Sequence, residues 1–210
     1  MTCYNLACAY GLLDKVSEGF EWLEKSVDNG FAQYIAPDND PDLASLRKDT
    51  HWPAFKDWFE KKIHPCEHDE RYNQLDFWIG DWTAFLPSGG KAGTGKIEKV
   101  EDGCLIRESW SSVYGSTGTS INFFDPATGK WTQTWTNDHG NVNHFTGELI
   151  DGAMHFEGMN YPYNSEPFPI RMTLTPNPDG TVHHFTEVSN DGGKTWEVRF
   201  DAIYRKATEE

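Results

Sequence analysis

The sequence predicts an α+β chain in which a short N-terminal helical segment precedes an antiparallel up-and-down β-barrel of eight to ten strands. Two observations carry this. The apolar period is helical up to about residue 63 and changes to two from Phe77 onward. The alternating runs after Phe77 are then separated by closely spaced turn signals, including Asp102-Gly103, Asp151-Gly152 and Pro178-Asp179-Gly180. Such dipeptides mark hairpins because their turns need positive φ. A meander joined by short turns removes its exposed edges by closing on itself.

In the helical part, Leu6, Ala7, Tyr10 and Leu13 recur at helical spacing, and Gly11 and Asp14 mark a turn. Phe20, Leu23 and Val27 form a second stripe that ends at Asn29-Gly30, a C-terminal stop. Asp40-Pro41 reads as an N-cap followed by proline at the first helical position, opening a helix through Leu43, Leu46 and Arg47. Thr50 is the expected cap of a further helix carrying Trp52, Phe55, Trp58 and Phe59, and Lys61-Lys62 suit its dipole. These elements make a segment over 1–63. The stretch 64–76 is polar, holds Pro65 and lacks periodicity, and is expected to link to a barrel over 77–206.

The 9 Trp, 8 Tyr and 13 Phe can bury enough apolar area for a core although only 37% of residues are hydrophobic. The net charge of -15 is shared: residues 1–70 carry 7 basic and 14 acidic side chains, and 71–210 carry 11 and 19. Neither part holds the basic patch that nucleic acid or an anionic membrane would require. No basic flank and apolar core of a signal peptide opens the chain, and no run of about 18 apolar residues occurs. The four cysteines lack metal-type spacing, so a cytoplasmic protein with reduced thiols is expected.

Two stretches resemble known families. Leu6-Ala7, Tyr10, Gly19, Leu23 and Ser26 match the small and large positions of a tetratricopeptide hairpin over about 30 residues. One hairpin cannot bury both its faces, so it is expected to pack on the barrel, on another chain or on a copy of itself. Phe77-Trp78-Ile79-Gly80-Asp81-Trp82 resembles the Gly-x-Trp opening strand of lipocalin-like (calycin) barrels. Asp125 to Trp131 and Ser189 to Trp196 widen this to an uncharacterised, nitrobindin-like bacterial group. The resemblance implies a barrel with Trp82 across its bottom and Arg205 of the last strand packed over that ring. It implies little about activity, because one fold hosts many.

Several motifs reduce to structure. Gly90 to Lys96 nearly spells a phosphate-binding loop, but Ile97 stands where Ser or Thr must ligate magnesium, and a strand-like alternation follows. Ser189-x-Asp191-x-Gly193-x-Thr195-Trp196 matches a single Asp-box, a hairpin motif. Asp38-x-Asp40-x-Asp42 lacks the glycine of a calcium loop, since Leu43 occupies that position. His139, His144, His155, His183 and His184 could together supply a metal or a haem ligand. His183 and Glu187, though, lie about 13 Å apart on a strand, and only His155 and Glu157, about 6.6 Å apart, could share an ion with other strands. No cofactor is therefore predicted, with a histidine-held metal or haem as the alternative.

What remains is the inward face of the strands. Alternation puts Trp131, Gln133 and Trp135 on one face, and Ile106, Glu108 and Trp110 on one face of another strand. Pointing inward, they would wall an aromatic cavity with few polar groups. The expected function is binding of a small apolar or aromatic molecule by Trp110, Trp131, Gln133 and Trp135, with Asn122 and Arg171 as further polar contacts. Glu108 is the candidate catalytic group of a rival reading, an isomerase, cyclase or hydrolase using this carboxylate or a histidine as acid and base. A third reading is a protein-interaction module acting through the helical segment.

Overall fold

The computed structural model describes residues 2–207, which form two compact units with the boundary between His68 and Asp69. The first is helical: α1 (Thr2–Leu12), α2 (Val16–Asp28), α3 (Ala36–Asn39), α4 (Ala44–Lys48), α5 (Trp52–Ile63) and α6 (Pro65–His68), with a 3-10 turn at Pro41–Leu43. Asp40 caps that turn as expected, its carboxylate accepting the Asp42 N–H at 3.0 Å.

Three expectations for this unit are corrected. Leu13 follows the end of α1 and is exposed, because the helix stops one residue short of the stripe. Thr50 caps nothing: His51 holds the N-cap position of α5, and the Asp49 carboxylate takes the His51 N–H instead. The hairpin of α1 and α2 finds cover inside its own unit, where Leu43, Leu46, Phe55 and Phe59 bury Ala7, Phe20, Leu23 and Val27. Residues 64–76 also hold more structure than their lack of period suggests: α6, then 3-10 turns at Glu70–Asn73 and Asp76–Trp78.

The second unit is a closed barrel of ten antiparallel strands, each paired with its neighbour in sequence and the last with the first. They are β1 (Gly80–Phe85), β2 (Lys91–Val100), β3 (Leu105–Ser112), β4 (Thr117–Asp125), β5 (Lys130–Asn137), β6 (Val142–Ile150), β7 (Ala153–Tyr161), β8 (Phe168–Pro176), β9 (Val182–Val188) and β10 (Glu197–Lys206). The turn chemistry reads as intended. Asp151 and Gly152 have φ of 50° and 82°, the mirror-image geometry that matches strand twist in a two-residue hairpin. Ser189 and Asp191 tie the β9–β10 connection, Asp191 accepting the Lys194 and Thr195 amides at 2.9 Å each. The segment near Gly90 is a hairpin into β2, as its alternation suggests.

One end of the barrel is plugged. Tyr72 and Trp78 from the 3-10 turns and Leu75 between them are buried, Trp131 donates to the Gln74 side-chain carbonyl at 3.0 Å, and Tyr72 meets the Phe124 ring edge-on at 5.3 Å. Trp82 is buried there and donates its indole N–H to the Trp78 carbonyl at 2.7 Å. The residue over its ring is Lys206, 4.0 Å from the centroid, and not Arg205, which lies over Phe85. Register explains this: Lys206 pairs directly opposite Trp82, so Arg205 points to the other side of the sheet.

Trp82 thus joins the plug to the seam between first and last strands. Its replacement by alanine is expected to cost about 3–5 kcal/mol, read as a lower urea midpoint of unfolding. An unchanged midpoint would mean the seam holds without it.

Candidate functional site

The β1–β2, β3–β4, β5–β6, β7–β8 and β9–β10 connections all emerge at the end opposite the plug. There the barrel is hollow, with a cavity of about 810 Å³, within the range of small-molecule sites. Its walls include Trp110, Trp135, Phe145, Phe168, Phe200 and Tyr204. Two of these rings need glycine opposite them. A Cβ on Gly93 would lie 2.5 Å from the Trp110 indole, and one on Gly118 would lie 2.8 Å from that of Trp135. The glycines make room for the aromatic wall, a cue that residue type alone did not raise. A register shift between Val198 and Phe200 explains why Arg199 and Phe200, adjacent in sequence, both line the cavity.

Glu108, Trp110, Gln133 and Trp135 all line this space. Asn122 and Trp131 also sit on inner faces, but deeper: Trp131 belongs to the plug, and Asn122 is wholly buried behind Glu108. Arg171 lies elsewhere. It pairs with Glu187 at 2.7 Å and stacks on Trp196, outside the cavity lining.

Three of these side chains and Ser120 form one hydrogen-bonded chain. Gln133 donates to the Asn122 carbonyl at 2.6 Å, Asn122 donates to Ser120 at 3.0 Å, and Ser120 donates to Glu108 at 2.9 Å. The same Asn122 amide donates to the backbone carbonyl of Ile106 at 3.1 Å. A carbonyl can only accept, so this contact fixes which way Asn122 faces, and with it the bonds from Gln133 and to Ser120. The Ser120 hydroxyl donates when Glu108 is ionised.

The carboxyl at its end is almost fully buried, and among the described residues no lysine or arginine pairs with it. Burial pushes Glu108 up to about 7, and the Ser120 hydroxyl offsets only part of this. Tyr204 is held well above its ordinary value, first by burial and then by Glu108.

Sequence reasoning missed His184 as an individual. Of the five barrel histidines it is the one in the cavity lining, with the Phe200 edge at 5.0 Å and the Tyr204 ring stacked at 5.6 Å. Burial lowers it to about 3, so it is neutral. Its Nε2 meets Thr186 at 3.1 Å and its buried Nδ1 has no partner. Strand alternation after His183, which reaches outward to Asp201 at 2.8 Å, would have singled it out. His155 and Glu157 are both exposed. Among the described residues, the side chains whose ligand atoms converge as a metal site would are Cys8, Asp40 and Asp42, in the helical unit. There burial and Asp40 push the Cys8 thiol up to about 12, which keeps it a protonated donor to that carboxylate.

The cysteines also bear a correction. Cys3 and Cys8 are free thiols, whereas Cys66 and Cys104 are in the oxidised, disulfide state, which leaves no spacing signature in a single sequence. Among the described residues, no helix is long and apolar enough to cross a membrane.

Fold and cavity together define a closed antiparallel β-barrel, hollow at one end and preceded in the chain by a helical unit. No protein-family model matches the chain. It is similar to a chloroplastic protein of Arabidopsis thaliana, at 36% identity over 62 residues, which cover 29% of this chain and 18% of that protein. The chain thus spans less than a fifth of that relative, too small a share to establish a family.

The burial of Glu108 has a measurable cost. A free glutamate loses its proton at 4.5, while the folded protein keeps this one to about 7. The folded state binds the extra proton in that window, so stability falls as pH rises through it. The loss stays complete above it, on the order of 3 kcal/mol. His184 acts with the opposite slope, costing stability as pH falls from 6.5 towards about 3. Glu108→Gln should therefore melt several degrees above the unsubstituted protein at about pH 8, the gap closing towards about pH 4.5. A gap that does not vary with pH would mean that Glu108 ionises normally.

Proposed function

We propose that the barrel binds a small apolar or aromatic molecule in its interior. One observation carries this reading: the cavity of about 810 Å³ is walled by aromatic rings, with Glu108, Gln133, His184 and several Asn, Ser and Thr side chains among them. Aromatic surface of this kind supplies most of the binding free energy by leaving water, and the polar groups orient the guest. Trp110 and Trp135 form the walls beside Glu108, and Gln133 anchors the chain behind it.

A second reading is favoured by a specific feature. A buried carboxyl that titrates at about 7 suits general acid and base catalysis, so an isomerase, cyclase or hydrolase is the rival. Chemical change in a bound molecule separates the two.

N-phenyl-1-naphthylamine, which fluoresces strongly in apolar surroundings, tests the binding reading. The protein should enhance its emission, and Trp135→Ala should weaken its affinity at least about tenfold by removing one wall, each tenfold being about 1.4 kcal/mol. Equal affinity in the variant would remove Trp135 from the site, and no enhancement in either protein would refute the reading.

A further inference from the structure

We propose that the molecule the cavity selects carries a basic nitrogen, an aromatic or aralkyl amine whose ammonium group seats against Glu108 while its ring lies among Trp110, Trp135 and Tyr204. This rests on the binding reading above and narrows it to a ligand class.

The first support is direction. The Ile106 carbonyl holds Asn122 so that Gln133 and Asn122 donate toward Glu108, and Ser120, which takes the Asn122 amide on one lone pair, keeps its own proton to donate to the carboxylate. Each bond polarises the next, so the positive ends of three dipoles accumulate on the carboxyl. That arrangement favours an anion at Glu108.

The second support is the missing partner. A buried carboxylate is costly unless a cation or several donors meet it. Here Ser120 occupies one carboxylate oxygen, and among the described residues no lysine or arginine reaches the other. The titratable groups that line the cavity with Glu108 are Tyr114, His184, Arg199 and Tyr204. His184 is neutral, and Tyr204 keeps its proton. Arg199 is exposed to solvent at the mouth, where water screens its charge, whereas Glu108 is buried.

The third support is the aromatic surround. Trp110 lies two residues along β3 from Glu108, so both side chains share one face. Trp135 pairs with Ser120, which pairs with Glu108, and so stands on the adjoining strands at the same height. The Trp110 and Tyr204 rings lie 5.9 Å apart. Electron-rich ring faces around a carboxylate attract an organic ammonium by two additive means, ion pairing and cation–π contact.

Isothermal titration calorimetry of the full chain with two matched probes tests this. 1-Naphthylmethylamine and 1-naphthalenemethanol share their ring and size and differ in the amine. At about pH 8 the amine should bind at least about tenfold tighter than the alcohol. That preference should fall by about tenfold per unit of pH below about 7, because the ammonium must then displace the Glu108 proton. In this range the amine, and not the alcohol, should release a proton to the buffer. Glu108→Gln should bring the two affinities together. Amine and alcohol binding equally well would overturn the amine proposal and leave the hollow barrel standing. Neither binding would overturn both. Should Glu108→Gln fail to fold, the pH profile and proton release of the unsubstituted protein still decide.

Discussion

The barrel depends on the ladder between β1 and β10, in which four residue pairs from Trp82–Lys206 to Phe85–Ile203 close a sheet that would otherwise end in two open edges. Without it, β1 and β10 would each present a row of unpaired amides and carbonyls. The two strands are brought together from the plugged end. Trp82 is anchored on Trp78 from below, Lys206 lies over its ring, and the Lys206 ammonium donates to the Ile79 carbonyl. A closed sheet of ten strands is wider than its side chains fill at one end. The plug of Tyr72, Leu75, Trp78 and Trp131 accounts for why the other end is the hollow one.

Closure also sets the chemistry. A sealed wall lets β3, β4 and β5 place Glu108, Ser120, Asn122 and Gln133 side by side away from water, where the Ile106 carbonyl fixes the orientation of Asn122 among them. In water these groups would exchange partners freely. Inside the barrel their arrangement is fixed, and a carboxyl that would ordinarily be ionised at neutral pH is held near the midpoint of its titration.

Much of the fold was legible because the turns and the strand period have local causes. Asp151-Gly152 needs positive φ, and Trp131-Thr132-Gln133-Thr134-Trp135 alternates with the pleat, so the hairpins and the inward face of β5 follow from a few residues each. The inward set Glu108, Trp110, Gln133 and Trp135 was readable for the same reason. What escaped depends on distance across the barrel. Trp131 and Asn122 share that inward face, and only the position of the plug tells that they lie below the cavity. Arg171 pairs with Glu187 across two strands, and Lys206 displaces Arg205 at Trp82 through a register set by the closing ladder. Arg199 reaches the cavity through a bulge that interrupts alternation, and Gly93 and Gly118 matter only for the indoles they face. In the helical unit, Leu43 and Leu46 supply the cover that a lone hairpin lacks, through pairings that periodicity cannot reveal.

The claim on which the account turns is that the upper barrel is an occupied binding chamber, and native mass spectrometry of the protein isolated from its own host tests it most directly. The account predicts a second, heavier species that holds one small organic molecule and loses it on denaturation. A single apo mass, unchanged after addition of naphthalene probes that fit the cavity, would contradict it.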